Sequence, residues 1–309
     1  MTLQIPIGIS DFRKLREAGA WYVDKTALLV GILESASEVL LFPRPRRFGK
    51  TLNLSTLRYF VEKPPEPWDA TYLYKDLEVW QSEATRQHFQ RYPTIALSFK
   101  DVKERTWEAT WVGIRNEIAR VVKEHRVLLS SGLPEDEIRD LTALLEPDVP
   151  PAVANHALAL LSRLLHRHHG ERVVILIDEY DVPMQAGWMG GFYDDVVAFF
   201  RTFLTAGLKD NVHLYKGVLT GVLRVARESI FSGLNNLKVW SILSAPFSEH
   251  FGFSEPEVQA LCDALGKPQA MDEVRRWYDG YNFAGTTLYN PWSVLNFACE
   301  PEKGGHPYW

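Results

Sequence analysis

Arg44-Pro45-Arg46-Arg47-Phe48-Gly49-Lys50-Thr51 follows the apolar run Val39-Leu40-Leu41-Phe42, and the reading of that junction decides the fold. An apolar strand enters a loop ending Gly-Lys-Thr, and Leu54, Leu57 and Phe60 follow in helical spacing. Strand, loop and helix in that order form the arrangement that holds nucleotide phosphates. Phosphates are multiply charged, so such a loop needs inward backbone N–H groups, a helix N-terminus and a cation. Gly49 lets the backbone approach closely, Lys50 brings a flexible point charge to the β- and γ-phosphates, and the Thr51 hydroxyl is a ligand for Mg²⁺. The regular pattern G-x-x-x-x-G-K-[ST] asks for glycine at 44, where this chain has Arg44. Pro43 and Pro45 fix φ and Pro45 lacks an N–H, so Arg46 and Arg47 are expected to supply phosphate contacts. The expected nucleotide-binding set is Arg46, Arg47, Phe48, Gly49, Lys50, Thr51 and Leu52. The competing reading is a basic turn that merely ends in Gly-Lys-Thr.

A second stretch weighs against that competitor. Val173-Val174-Ile175-Leu176-Ile177 runs into Asp178-Glu179-Tyr180-Asp181. An apolar, β-branched run ending in carboxylates reads as a buried parallel strand whose carboxyl end reaches a ligand crevice, a Walker B strand. Asp178 is expected to hold Mg²⁺ and Glu179 to polarise the water that attacks the γ-phosphate. With Thr51, this makes Thr51 and Asp178 the expected metal ligands. A third strand is expected over Val212 to Leu219, ending in Thr220-Gly221. In P-loop ATPases with a separate catalytic glutamate, the strand after Walker B lies between the other two and carries a polar residue that senses the γ-phosphate. Thr220 is the candidate. Arg224 and Arg227 are candidates for stabilising charge on the transferring phosphoryl group, with solvent-exposed ion pairing as the alternative. The expected catalytic set is Lys50, Glu179, Thr220 and Arg224.

The remaining sequence sets bounds. With 309 residues and 46% hydrophobic content the chain can bury one large core or two ordinary ones. A net charge of −5 gives no global attraction to nucleic acid. No stretch approaches a membrane span, the N-terminus lacks the layout of a signal peptide, and two cysteines make no disulfide framework, so a cytoplasmic location is the default. Trp21 to Thr26 is expected near the nucleotide base or behind the first strand. Thr94 to Phe99 reads as a strand, Trp107 to Val127 as an amphipathic helix, Ser130 to Pro151 as a surface connection or small insertion, and Ala152 to His169 as another helix. His166, His168 and His169 sit at the end of a helix, where cations suit the dipole, rather than at a metal. From about Ser248 onward the pattern reads as helices with aromatic turns and no strands, a small lid over the nucleotide.

The combination of YVDKT, RPRRFGKTLNLS, VVILIDEYD, TGVLRVARESIFSGLNN, YDGYNF and LYNPWSV resembles the bacterial AAA-ATPase-like family whose members often carry a fused PD-(D/E)XK nuclease domain. The resemblance implies that arginine is an ordinary occupant of position 44, and that ATP and Mg²⁺ bind through Gly49, Lys50, Thr51, Asp178 and Glu179. It also implies a nucleic-acid or defence-related role, with a nuclease domain or another protein as partner and oligomers allowed. The nuclease domain itself is expected to be absent from these residues, since the short Asp101-Val102-Lys103 segment is better read as an exposed ion pair. The expected fold is α/β, a three-layer P-loop NTPase core with a mainly parallel sheet over residues 1–245 and a helical subdomain over 246–309. Mg²⁺-dependent ATP hydrolysis is the leading expectation. An ATP-gated binding module with little turnover is one alternative, and direct DNA binding through the arginine-rich surface is another.

Overall fold

The computed structural model describes residues 3–222, 230–231 and 233–308. Helices α1 (Phe12–Glu17) and α2 (Ala27–Glu34) precede β1 (Val39–Pro43), which leads into α3 (Lys50–Val61). Next come α4 (Glu83–Arg86), β2 (Thr94–Ser98), α5 (Trp107–Glu124), α6 (Glu135–Ala143), α7 (Pro151–Ala154), α8 (Ala157–His169) and β3 (Val173–Asp178). After β3 follow α9 (Val182–Gly190), α10 (Tyr193–Leu208), β4 (Leu214–Gly221) and the short β5 (Leu237–Val239). The last part holds β6 (Phe253–Ser254), α11 (Glu255–Ala264), α12 (Ala270–Tyr278), β7 (Tyr281–Phe283), β8 (Thr286–Tyr289) and α13 (Pro291–Cys299).

The main sheet has the order β2-β3-β4-β1-β5, and every pairing in it is parallel. Period-2 alternation explains why it is sandwiched. Val39, Leu41, Val173, Ile175 and Ile177 enter one core with side chains of α5, α8 and α10. Leu40, Phe42, Val174 and Leu176 enter a second core with α2 and α3. Successive strand residues point to opposite faces, so a strand apolar at every position requires helices on both faces. Full burial of each such aliphatic side chain is worth about 1.5–3 kcal/mol. The expected three-layer α/β core is what forms. Strand β4 lies between β1 and β3, with Phe42 opposite Thr220 and Ile177 opposite Leu219. The carboxyl ends of β1, β3 and β4 therefore share one edge, where open parallel sheets place their ligands.

Three stretches depart from the sequence reading. Residues 130–151 contain α6, and Leu141, Leu144 and Val149 are buried in the first core, so this is a packed element rather than a surface connection. The basis is the amphipathic spacing of Glu137, Leu141 and Leu144, with Glu137 neutralised by Arg163 and Arg167. The segment expected to be one helix over 152–169 is two, α7 and α8. Beyond residue 248 the helices are accompanied by a three-stranded antiparallel sheet, β6-β8-β7. Its hairpin turns on Ala284 (φ 50°) and Gly285 (φ 94°), a two-residue turn with both φ values positive. Asn282 Oδ1 accepts from the Gly285 N–H at 2.9 Å and closes it. Alanine rarely takes this conformation, which hides the hairpin from sequence patterns. A third core joins α11, α12 and α13, and Leu3, Ile5 and Trp21 from the chain's first residues pack against it.

Candidate functional site

Helix α3 starts at Lys50 because Gly49 adopts φ 80°, a left-handed conformation that turns the chain out of the loop and into the helix. The buried Lys50 Nζ donates to the carbonyls of Arg44 (3.3 Å) and Pro45 (3.1 Å), so the loop curls around its own lysine. Its third neighbour is Glu179 Oε1 at 3.3 Å. Glu179 has φ 53°, which aims its side chain back across the strand end toward the loop. Burial raises the Glu179 carboxyl above its ordinary value of 4.5, Lys50 opposes that rise, and Asp178 and Asp181 add to it.

Asp178 lies at the end of β3, and both its oxygens are engaged. Oδ2 accepts from the Thr51 hydroxyl at 2.7 Å and Oδ1 from the Thr220 hydroxyl at 2.5 Å. Lys50, Thr51, Asp178, Glu179 and Thr220, recognised separately in the sequence, thus meet at one place. A carboxylate beside a hydroxyl is a hard oxygen donor pair that fits Mg²⁺, a cation that keeps water and phosphate oxygens among its ligands. Among the described residues no group of three or more His, Cys, Asp or Glu side chains is arranged to hold a metal. The protein side of such a site is therefore the Thr51 and Asp178 pair.

The other expected binding residues divide. Phe48 is fully buried, with Tyr281 and Phe283 at centroid distances of 4.7 and 5.3 Å, so its ring anchors the C-terminal sheet. Leu52 is partly buried on α3 and lines the cleft. Arg46 and Arg47 are exposed; Arg46 donates to Gln185 Oε1 at 3.2 Å, and Arg47 donates to the Tyr308 carbonyl at 3.2 Å. Arg224 and Arg227 lie outside the described residues. His166 turns to His213, with ring nitrogens 2.9 Å apart, and α8 ends at His169, whose imidazole burial pushes down to about 4, so at neutral pH it does not supply the cation of the dipole reading. Asp101 and Lys103 are exposed, and among the described residues they form no ion pair, so the expected pairing is not made.

A cleft of about 250 Å³ opens beside Lys50, Thr51 and Glu179. Its other walls come from both ends of the chain: Ile9, Trp21, Tyr22 and Val23 on one side, His250, Phe253, Trp292 and Leu295 on the other. The Trp21 to Thr26 segment does lie at this cleft, and it also braces the fold. Asp24 Oδ1 accepts from the Thr26 N–H at 2.8 Å and Asp24 Oδ2 from the Glu78 N–H at 2.7 Å. Sequence reasoning missed a clamp on residues 240–250. Arg44 donates to the carbonyls of Trp240 and Phe247, Lys25 to that of Glu249, and Asn53 to that of His250. Lys25 also pairs with Glu257 at 2.6 Å. Only Arg44, as a departure from the motif, carried a signal of this in the sequence.

The family model described as "Predicted AAA-ATPase" matches residues 6–231, more than half of the chain. The chain belongs to the predicted AAA-ATPase family. Membership implies nucleotide binding, and the matched residues contain Lys50, Thr51, Asp178, Glu179 and Thr220. This predicted AAA-ATPase is also 30% identical, over 312 aligned positions and 99% of its own length, to a protein of Azotobacter chroococcum mcd 1 described as "Uncharacterized protein in vnfD 5'region". The chain spans 53% of that relative's length. No helix among the described residues of this AAA-ATPase is long and apolar enough to cross a membrane.

Proposed function

We propose that the chain binds ATP with Mg²⁺ at this cleft and hydrolyses the bond to the γ-phosphate. The observation that carries the reading is the convergence of Lys50, Thr51, Asp178, Glu179 and Thr220 from three elements onto one sheet edge. Lys50 is positioned to meet the β- and γ-phosphates and offset their charge. Mg²⁺, held by Thr51 and Asp178, would supply charge neutralisation on the same phosphates. Glu179, with its raised affinity for protons, takes the proton of the attacking water, and Thr220 reads the γ-phosphate through its hydroxyl. Residues 246–309 act as a lid on a core formed by residues 1–245.

A second reading is supported by the clamp of Arg44, Lys25 and Asn53 on residues 240–250: an ATP-gated module in which the loop's state is passed to the lid with little turnover. Work on nucleic acid gains no support from a net charge of −5. Phosphate release by the purified chain separates the two readings. Hydrolysis predicts turnover that Lys50→Ala and Glu179→Gln both lower by about 10²-fold or more, with ATP binding kept only in Glu179→Gln. A wild-type rate equal to that of Glu179→Gln, with ATP bound by both, favours the gated module.

A further inference from the structure

The cleft beside Lys50 is also lined by the apolar side chains of Trp21, Val23, Phe253, Trp292 and Leu295. Phosphate chemistry accounts for Lys50 and Thr51 in that lining and not for these apolar side chains. Trp292 sits in the first turn of α13, and that turn is held against the phosphate loop. Asn290 Oδ1 accepts from the N–H groups of Trp292 (3.0 Å) and Ser293 (3.4 Å), while Asn290 Nδ2 donates to the Arg46 carbonyl at 3.5 Å. The indole is partly exposed, and the Arg47 guanidinium stands over its ring, 4.7 Å from the centroid.

Arg47 is held only lightly there. It is an exposed residue at φ 67°, its other polar contact is the 3.2 Å bond to the Tyr308 carbonyl, and among the described residues it forms no ion pair. A charge-assisted contact to phosphate is stronger than a bond to a neutral carbonyl. A base that stacks on an indole replaces one π contact with another of larger area.

We propose, building on the ATP reading above, that Trp292 is the platform on which the purine base stacks, and that Arg47 leaves the indole for the phosphates when nucleotide enters. Trp292 then sets affinity for the base, and Arg47 couples base entry to phosphate entry. The two residues make opposite predictions for ligands that carry only half of ATP.

The test is calorimetric titration of the full chain with ATP, with inorganic triphosphate, both in Mg²⁺, and with adenosine. Trp292→Ala weakens ATP about tenfold and leaves triphosphate within about twofold, whereas Trp292→Phe keeps most of the ATP affinity. Arg47→Ala weakens triphosphate and tightens adenosine, because the platform is uncovered while a phosphate partner is lost. Equal weakening of ATP and triphosphate by Trp292→Ala, unchanged ATP affinity in that variant, or Arg47→Ala shifting both half-ligands in the same direction overturns the proposal. Wild-type chain that binds neither ATP nor triphosphate overturns the nucleotide reading as well. Triphosphate binding that persists beside an unaltered Trp292→Ala overturns only the platform.

Discussion

The Arg44 guanidinium is fully buried, and its Nη1 donates to the Trp240 carbonyl at 2.6 Å. Its Nη2 donates to the Phe247 carbonyl at 3.2 Å, and the rings of Phe251 and Phe283 flank it at 4.8 and 5.5 Å. Burial pushes the group down to about 10, still charged at neutral pH. The residue that breaks the regular motif therefore uses its guanidinium to hold residues 240–247 to the loop. Arg44→Gly, which restores the regular glycine, is expected to destabilise the fold by at least about 3 kcal/mol, since it leaves carbonyls without donors and opens a cavity. Urea unfolding measures this; equal midpoints and slopes for the two chains would contradict it.

Glu179 gives the proposed hydrolysis a pH signature. Only its deprotonated form can take a proton from water, and burial raises its carboxyl above 4.5. Turnover is expected to fall as pH drops, with an apparent pKa above 4.5, and Glu179→Gln is expected to lose about 10²-fold or more along with that acid limb. A pH–rate profile from pH 4 to 8 checks both. An acid limb that persists in the residual rate of the variant would assign it to another group.

His250 makes stability depend on pH in a defined direction. Its imidazole, ordinarily at 6.5, is pushed down to about 4 by burial first, with Lys25 and Arg44 adding to the effect. Below pH 6.5 the unfolded chain takes up a proton that the folded chain refuses until about pH 4. Stability is therefore full above 6.5 and is lost as pH falls through that window, by up to about 3 kcal/mol at 1.36 kcal/mol per unit. His169 is likewise pushed down to about 4, chiefly by burial. Denaturant midpoints measured across this range should fall with pH, and the slope should be shallower for His250→Gln.

Gly207 tests the packing behind the sheet. A Cβ there would lie 2.5 Å from Leu158 Cβ and 2.7 Å from Leu158 Cδ1, so α10 and α8 touch where a methyl has no room. Gly207→Ala is expected to destabilise by about 1–3 kcal/mol despite the better helix propensity of alanine. Leu158→Ala removes the Cδ1 contact but keeps the Cβ at 2.5 Å, so in thermal unfolding the double variant should recover only part of the Gly207→Ala loss.

The parts legible in the sequence were those governed by local chemistry. The runs at Val39 and Val173 are continuous and apolar because both faces of a parallel strand are buried, and Gly49 is required by its positive φ. Thr220 was found because a strand that enters between two others must end at the same edge. What stayed hidden depends on partners far away in the chain. Phe48 lines the cleft, but that its ring also packs on Tyr281 and Phe283 could not be read from the loop. Lys25 finds Glu257, and the Ala284-Gly285 hairpin uses an alanine where a sequence reader looks for asparagine. No spacing rule reaches across such distances.

Strand β1 pairs Val39 with Gly217 on one side and with Leu237 on the other. Both neighbours are made long after it, so during synthesis the strand that leads into the Gly49-Lys50-Thr51 loop has both hydrogen-bonding edges open until β4 has emerged, and one open until residues 237–239 follow. Assembly of the sheet edge at Asp178 and Thr220 is thus a late event, and a nascent chain that ends before β4 exposes an apolar strand to its surroundings. Closure of the main sheet is timed by the central strand β4 and then the edge strand β5, and a pause in translation before residue 214, with both edges of β1 open, is where the chain is most exposed to aggregation.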